Sequence, residues 1–322
     1  MSKGKFKIGI DVGGTKTAYG LYDEKLKLIA YEKHRTDNNA SQEEFTDSIR
    51  DVILRMLSEQ NADFSDLLGA AACFPSSVDH RNGTVVFTPT IPALCDYHAS
   101  EWFAEKLPGV RVIVDNDTNA AALAEHRFGA GRGYDHMLYT SMSTGIGSGL
   151  ILDGRLYRGA YGGAGESGHM IIEPGEKEVR CGCGNPGCFM GMASGSGAAK
   201  RAVSLIRSGR DSLISDSGRV PDAVTAVTIR EAFEKGDVLA EEIVDDMGRY
   251  LGLYLFNCFC LLNCNCFVLG GGLVHFGTPL LKRIRETFER YSRSFCIGGR
   301  NVEIRTAETG DHMGILGAAL MI

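Results

Sequence analysis

Long runs of lysine or arginine are missing from this 322-residue chain, and acidic residues outnumber basic ones to leave a formal net charge of −6. An electrostatic grip on nucleic acid needs the opposite balance, so none is expected and small-molecule chemistry is the better starting point. A secretory signal is missing too. The stretch MSKGKFKIGIDVGG starts basic, but its apolar part is short and runs straight into Asp11. Nor is there a clean membrane span. The one candidate, Tyr250 to Leu273, carries Asn257, Asn263 and Asn265 and ends in three glycines, which reads as a buried helix running into a buried strand. Ten cysteines without an export signal point to a reducing, cytoplasmic setting, hence to thiols or a metal site in place of disulfides.

Two familiar phosphate-binding patterns are also absent. No G-x-x-x-x-G-K-[ST] loop occurs, and neither glycine-rich turn is followed by the helix that a dinucleotide fingerprint requires. What is present is a chain with 44% hydrophobic and 23% charged residues, the composition of a soluble globular protein long enough for two ordinary domains. Its 41 glycines fall mostly at turns. Residues 6–12 read as a strand, Gly13-Gly14 as a tight turn and Thr17–Tyr22 as a returning strand. The spacing of Phe45, Ile49, Val52, Ile53, Met56 and Leu57 predicts a helix over 42–59. A buried strand is expected at Leu68–Phe74, a helix at Ser100–Leu107 and a second buried strand at Val110–Val114. An alanine-rich helix follows at Asn119–Phe128, capped by Asp117 or Thr118.

The second half opens the same way. Met137–Ser141 is a predicted strand, Ser143–Gly149 (STGIGSG) a turn, Leu150–Leu152 a strand and Asp153-Gly154 a hairpin turn. Ser194 caps a predicted helix to Ile206, and a long helix at Val238–Leu262 leads into the strand Phe267–Leu269 and the loop Gly270–Gly272. Strand, Gly/Thr-rich turn, strand thus recurs at 8–22 and 137–157, a weak repeat that suggests two similar halves around a cleft. No low-complexity linker separates them. Either glycine turn could cradle phosphate through its backbone N–H groups, and either could be a plain hairpin.

Three cysteines crowd the eight residues CGCGNPGC, Cys181 to Cys188, with Cys181, Cys183 and Cys188 as possible ligands. On spacing alone they are a metal site lacking a fourth donor, or small core residues.

Taken together, IGIDVGGTKTAYGLYD, VDNDTNAAALAE, TSMSTGIGSGLILDGRL, GAGESGH, CGCGNPGC and VLGGGL stand in the order found in the ROK family, which the chain resembles from about Ile8 to Met321. That family holds sugar kinases, repressors and related proteins. The resemblance implies an α/β, two-domain actin-like ATPase (ribonuclease H-like) fold with a cleft and a zinc-binding loop. It implies domains at 1–116 plus 306–322 and at 117–305. It further implies that Gly13, Gly14, Thr15 and Lys16 with Thr144 and Gly145 hold the ATP phosphates. Asp11 would sit near Mg²⁺, with Gly271 and Gly272 near the adenosine. Asp117 would be the base that deprotonates the sugar, with Asn116, Glu166 and His169 contacting its hydroxyls. A lone Asp117 would otherwise read as a helix cap. His169 becomes the fourth ligand to a structural Zn²⁺ beside Cys181, Cys183 and Cys188. The other cysteines (Cys73, Cys95, Cys258, Cys260, Cys264, Cys266, Cys296) are assigned to packing.

Four positions depart from the pattern. Thr90 replaces an asparagine that contacts sugar, Ser76 a glycine, and Ser143 the glycine opening the second loop. Met190 replaces a sugar-binding glutamate two residues after the last cysteine. The expectation is an ATP-dependent kinase of a hexose or hexose derivative, with small-molecule sugar and ATP as partners, no nucleic acid, no membrane, and a homodimeric state as in much of the family. The alternative is a non-catalytic sugar-binding regulator. The repressor branch carries a helix-turn-helix ahead of the first glycine loop, and only seven residues precede Ile8.

Overall fold

A computed structural model describes residues 5–88, 90–175, 180–216, 224–293 and 301–322. The chain opens with strands β1 (Phe6–Val12), β2 (Lys16–Asp23) and β3 (Leu28–Arg35), then helix α1 (Gln42–Ser58) and β4 (Leu67–Phe74). A small hairpin, β5 (Ser77–Asp79) and β6 (Thr84–Phe87), precedes α2 (Ala99–Lys106), β7 (Val112–Asn116) and α3 (Asp117–Phe128). The pattern then restarts with β8 (Met137–Met142), β9 (Ile146–Leu152) and β10 (Arg155–Tyr157). Helices α4 (Phe189–Ala193), α5 (Gly195–Arg207), α6 (Leu213–Asp216), α7 (Ala226–Glu234) and α8 (Val238–Leu262) lead to β11 (Cys266–Gly270), α9 (Thr278–Ser292), β12 (Glu303–Thr306) and α10 (Met313–Leu320).

Two five-stranded sheets result, in the orders β3-β2-β1-β4-β7 and β10-β9-β8-β11-β12. Each is an antiparallel meander of three strands continued by two strands parallel to its first. The weak repeat in the sequence is therefore a repeat of whole sheets. Period-two alternation sends Ile8, Ile10, Val12, Tyr19 and Leu21 into a core with α1 and α2, where Phe45, Ile49, Ile53 and Phe103 meet them. Ala18 and Tyr22 point to the opposite face and pack on Ile315 and Ala319 of α10. The second sheet likewise buries Leu138, Phe267 and Leu269 against α4, α5, α7, α8 and α9. Its other face packs Met137, Tyr139 and Ile151 on Ala121 and Ala122 of α3. Helices α3 and α10 are thus sandwiched between the sheets, and Ala120 of α3 and Ala318 of α10 join Ala71 and Cys73 of β4.

The apolar stretch at 250–273 is, as read, the end of α8 running into a fully buried β11. Among the described residues no helix is long and apolar enough to cross a membrane. Three expectations need correction. Helix α3 starts at Asp117, so its cap is Asn116 and not Asp117 or Thr118: the Asn116 side chain accepts from the backbone of Thr118 at 2.8 Å. The second glycine turn ends at Gly145, and Gly147 and Gly149 lie within β9. A Cβ on Gly149 would stand 2.5 Å from the Thr118 carbonyl oxygen, so that glycine serves the close approach of α3 to the sheet. Cys260 is exposed, so packing does not account for it. The packing assignment of Cys296 lies outside the described residues.

Candidate active site

The cleft is built from strand ends and the N-terminus of one helix. Asp11, one residue before the end of β1, is half-buried, its carboxylate against Gly314 at the start of α10. Burial raises its pKa, and Lys33 partly opposes the rise. Asp117, the first residue of α3, is half-buried, with its pKa pushed up to about 7. Desolvation is the main cause, the charges of Asp11 and Glu166 add to it, and backbone N–H groups at the helix start oppose it. Asp117 of α3 therefore feels the charge of two other expected site carboxylates, Asp11 from β1 and Glu166 from the loop after β10.

Hydrogen bonds fix the head of α3. Asn116 caps it and also donates from Nδ2 to the Ser76 carbonyl at 3.0 Å, while Thr118 Oγ1 donates to the Ser148 carbonyl at 3.1 Å. Ser148 itself is buried, with its hydroxyl 2.7 Å from Tyr254 Oη and 2.8 Å from Ser167 Oγ. Ser167 follows Glu166, so this hydroxyl network ties β9 and α8 to the loop that presents the glutamate.

The two glycine loops differ in their supports. In the first, Gly13 N–H donates to the Lys16 carbonyl at 3.0 Å, and Thr36 Oγ1 and Asn38 Nδ2 donate to the Gly13 and Gly14 carbonyls. Thr15 and Lys16 are exposed. In the second, Ser143 and Thr144 accept from the backbone of Gly195 at 2.8 Å and Ser196 at 3.1 Å, at the start of α5. Gly271 sits at φ 83° directly against the Met142 backbone, where a Cβ would stand 2.5 Å from the Met142 oxygen. This brings Gly272 beside Ser143. Between them opens a cavity of about 460 Å³ whose apolar wall includes Ala199, Val227, Leu273 and Phe276 and whose rim includes Thr144, Lys200 and Arg230. The sequence reading supplied Thr144 and Gly272 but not the cavity's wall. Phe276 and Ala199 carry no motif and are recognisable only once α5 and the turn after β11 are packed together.

Of the two substituted sugar positions, Thr90 packs its side chain on Gly14 and pairs its hydroxyl with Thr88 at 3.1 Å. Met190 sits on α4, pinned by Cys188 and Phe189, both fully buried, with Phe189 stacked on Tyr254 at 4.4 Å. Its terminal methyl rests on Gly168 and near Gly145.

The thiol loop closes on His169. The donor atoms of His169, Cys181, Cys183 and Cys188 all lie within 4.8 Å of one another. His169 Nδ1 is 3.7 Å from Cys181 Sγ, and its Nε2 faces Glu166 Oε2 at 4.0 Å. One ring nitrogen thus belongs to the cluster and the other to the cleft. The Cys183 thiol is pulled down to about 7, mainly by the Asn185 backbone, while burial pushes Cys188 up to about 12. Three thiols and an imidazole so close-packed fit a bound cation.

A repeated sheet pair, two glycine loops and facing carboxylates define a phosphotransferase of the actin-like ATPase fold. Comparison with known proteins agrees: the model of the ROK family matches residues 7–322, and the chain belongs to that family. It is 31% identical over 320 residues to a glucokinase of Halalkalibacterium halodurans, across 99% of this chain and 95% of that one. Among solved structures, a ROK hexokinase from Thermus thermophilus superposes with a TM-score of 0.82 at 31% identity, covering 98% and 97% of the two chains. A ROK glucokinase from Streptomyces griseus, in complex with glucose and AMPPNP, gives 0.76 at 30% identity, with 98% of each chain covered. The protein is an ATP-dependent sugar kinase.

Proposed function

We propose that the acceptor is a hydroxyl of a hexose or hexose derivative and that Asp117 takes its proton. The observation that carries this is the meeting of Asp11, Asp117 and Glu166 at the head of α3, with Asp117 held near 7. A carboxylate poised there is a matched base at neutral pH. Asn116, fixed by its cap, has a second amide proton beyond the one given to Ser76, and Glu166 and His169 Nε2 offer further polar contacts for sugar hydroxyls. The first loop (Gly13, Gly14, Thr15, Lys16) and the second (Thr144, Gly145) supply donors to the phosphates, and the cavity behind Gly271 and Gly272 takes the adenosine. The residues fit Mg²⁺, because Asp11 and its neighbours leave negative charge uncompensated. When bound, that ion would neutralise charge on the transferring phosphoryl group.

The three thiols and His169 Nδ1 fit a structural Zn²⁺. Holding His169 by one nitrogen fixes the other toward Glu166. The chain is read as two lobes, 1–116 with 306–322 and 117–305, closing on the substrates.

The test is ADP release from ATP and Mg²⁺ against a panel of hexoses, deoxyhexoses and N-acyl hexosamines. Sugar-dependent turnover on at least one hexose-type acceptor is expected. Turnover confined to non-sugar alcohols would overturn the substrate class.

A further inference from the structure

One buried ion pair spans the sheets beside this site. Asp115, in edge strand β7 of the first sheet, is 2% exposed. Its Oδ2 accepts from Nε of Arg158 at 2.6 Å, and Arg158 directly follows β10, the edge strand of the second sheet. The other carboxylate oxygen accepts from the Asn116 backbone at 2.7 Å and from Asn119 Nδ2 at 2.8 Å. One carboxylate therefore holds both the cap and the first turn of α3. From Arg158 the chain passes through a glycine-rich loop to Glu166. That loop is stitched by Ala164 N–H to the Arg158 carbonyl at 3.2 Å, by Ser148 N–H to Gly165 at 2.9 Å, and by Glu166 N–H to Gly163 at 3.3 Å.

We propose that Arg158 and Asp115 are positioning residues for sugar binding: the pair fixes the spacing between the Asn116–Asp117 end of α3 and the loop carrying Glu166. Neither side chain needs to touch substrate. The physical reason lies in its geometry and its burial. A charge-assisted bond to a fully buried carboxylate is short and directional, and breaking it leaves that carboxylate unpaired. The nearest relief is to swing out toward water, which drags the Asn116 backbone with it. Misplacing a binding group by about 1 Å is enough to cost roughly 10²-fold. The ATP-binding cavity, formed by α5, α7 and the turn after β11, lies outside this strut.

The inference rests on the sugar-facing roles of Asn116, Asp117 and Glu166, and the experiment separates the two. Steady-state kinetics on the preferred sugar are measured for Arg158→Ala, Arg158→Lys, Asp115→Asn, the Asp115→Asn/Arg158→Ala double variant and Asp117→Asn, with thermal melts of each. Arg158→Ala should raise KM for the sugar by about tenfold to 10²-fold and leave KM for ATP within about twofold, while its melting temperature falls and is partly restored in the double variant, which no longer buries an unpaired carboxylate. Arg158→Lys should recover part of the loss. Low-millimolar guanidinium should rescue Arg158→Ala but not Arg158→Lys, because the Arg158 side chain is 25% exposed and its place is open to solvent. The double variant should be no worse than the poorer single variant, since both remove one interaction. An unchanged sugar KM in both Arg158 variants overturns the proposal. So does a parallel rise in both KM values, which would make the pair a general fold contact. If Asp117→Asn keeps its turnover, the base assignment fails whatever Arg158 does.

Discussion

At the scale of single residues, the site is governed by where charge is hard to hold. An ordinary aspartate is ionised well below neutrality, but Asp117 is held up to about 7 by desolvation and by Asp11 and Glu166. Its raised value means that folding favours the protonated form. That contribution to stability is fully present below the ordinary aspartate pKa and is lost as pH rises through about 7. Catalysis would run the other way if Asp117 is the base proposed above, because a base works ionised. The value of kcat/KM for the sugar should climb with pH through about 7 and level above it. Replacing Asp117 by Asn keeps the shape but removes the proton acceptor. Turnover should fall by roughly 10²–10⁴-fold, and that rise with pH should vanish. Near-normal turnover in Asp117→Asn, measured on the preferred sugar, would rule out the base.

Met190 poses the opposite problem, an apolar group where the family resemblance implies a contact to sugar hydroxyls. Its methyl rests on Gly168, one residue from His169, so a hydroxyl directed there would meet a weak acceptor at best. Losing water without a proper partner costs about 1–3 kcal/mol. Plain glucose should therefore be a poor substrate beside a deoxy, N-acyl or epimeric hexose, and Met190→Glu should move the preference toward glucose. The measurement is kcat/KM for glucose and its derivatives in both proteins. A wild type that already prefers glucose over all of them sinks the reading.

At the scale of elements, the proposed Zn²⁺ would make the thiol loop depend on something other than packing. Its turns are short, its cysteines lie close together, and in the proposed site its part is to aim His169. Cys183→Ser should lose the metal, about one Zn²⁺ per chain by elemental analysis, together with most activity and some stability. Full activity in a protein without zinc would remove the site. The crowding of three thiols into eight residues was legible in the sequence, but their spacing left a metal site and core packing both open, and His169 joined them only through the family resemblance; the structure brings the four donor atoms within 4.8 Å of one another. The long helix α8 was legible too, since twenty-five residues of apolar-faced sequence leave few other structures open. What stayed hidden was decided by contacts distant in sequence. The glycines of STGIGSG read locally as a turn, yet Gly147 and Gly149 run on into β9 because α3 must pass close above them. Asn116 read as a sugar contact, and its role as cap emerges only once Asp117 is seen to be helical. The pairing of Asp115 with Arg158 carries no signature, because an ion pair between residues forty-three apart cannot be seen in either neighbourhood alone.

At the scale of the whole molecule, the duplication is exact in topology and unequal in cover. Both sheets share one strand order, but α3 and α10 between them serve both inner faces. Because these two helices pack on each other and on the sheets, heat should unfold the protein in a single transition. Ile315, 1% exposed on α10, touches the inner face of the first sheet. Truncating it to alanine should cost about 2–5 kcal/mol and lower the whole transition without splitting it. Calorimetry showing two separate transitions in the wild type would contradict that coupling.

The place of α10 also bears on how the molecule is made. Residues 313–320 cover β1 and β2, which leave the ribosome long before them, whereas the second sheet gets its last strand, β12, just ahead of that helix. During synthesis the first sheet therefore waits, with Ala18 and Tyr22 uncovered, until nearly the whole second lobe has been translated. The nascent chain must pass through a stage with an exposed apolar face on its N-terminal half, which is when a chaperone would find its binding site and when crowding on a polysome would favour mispairing.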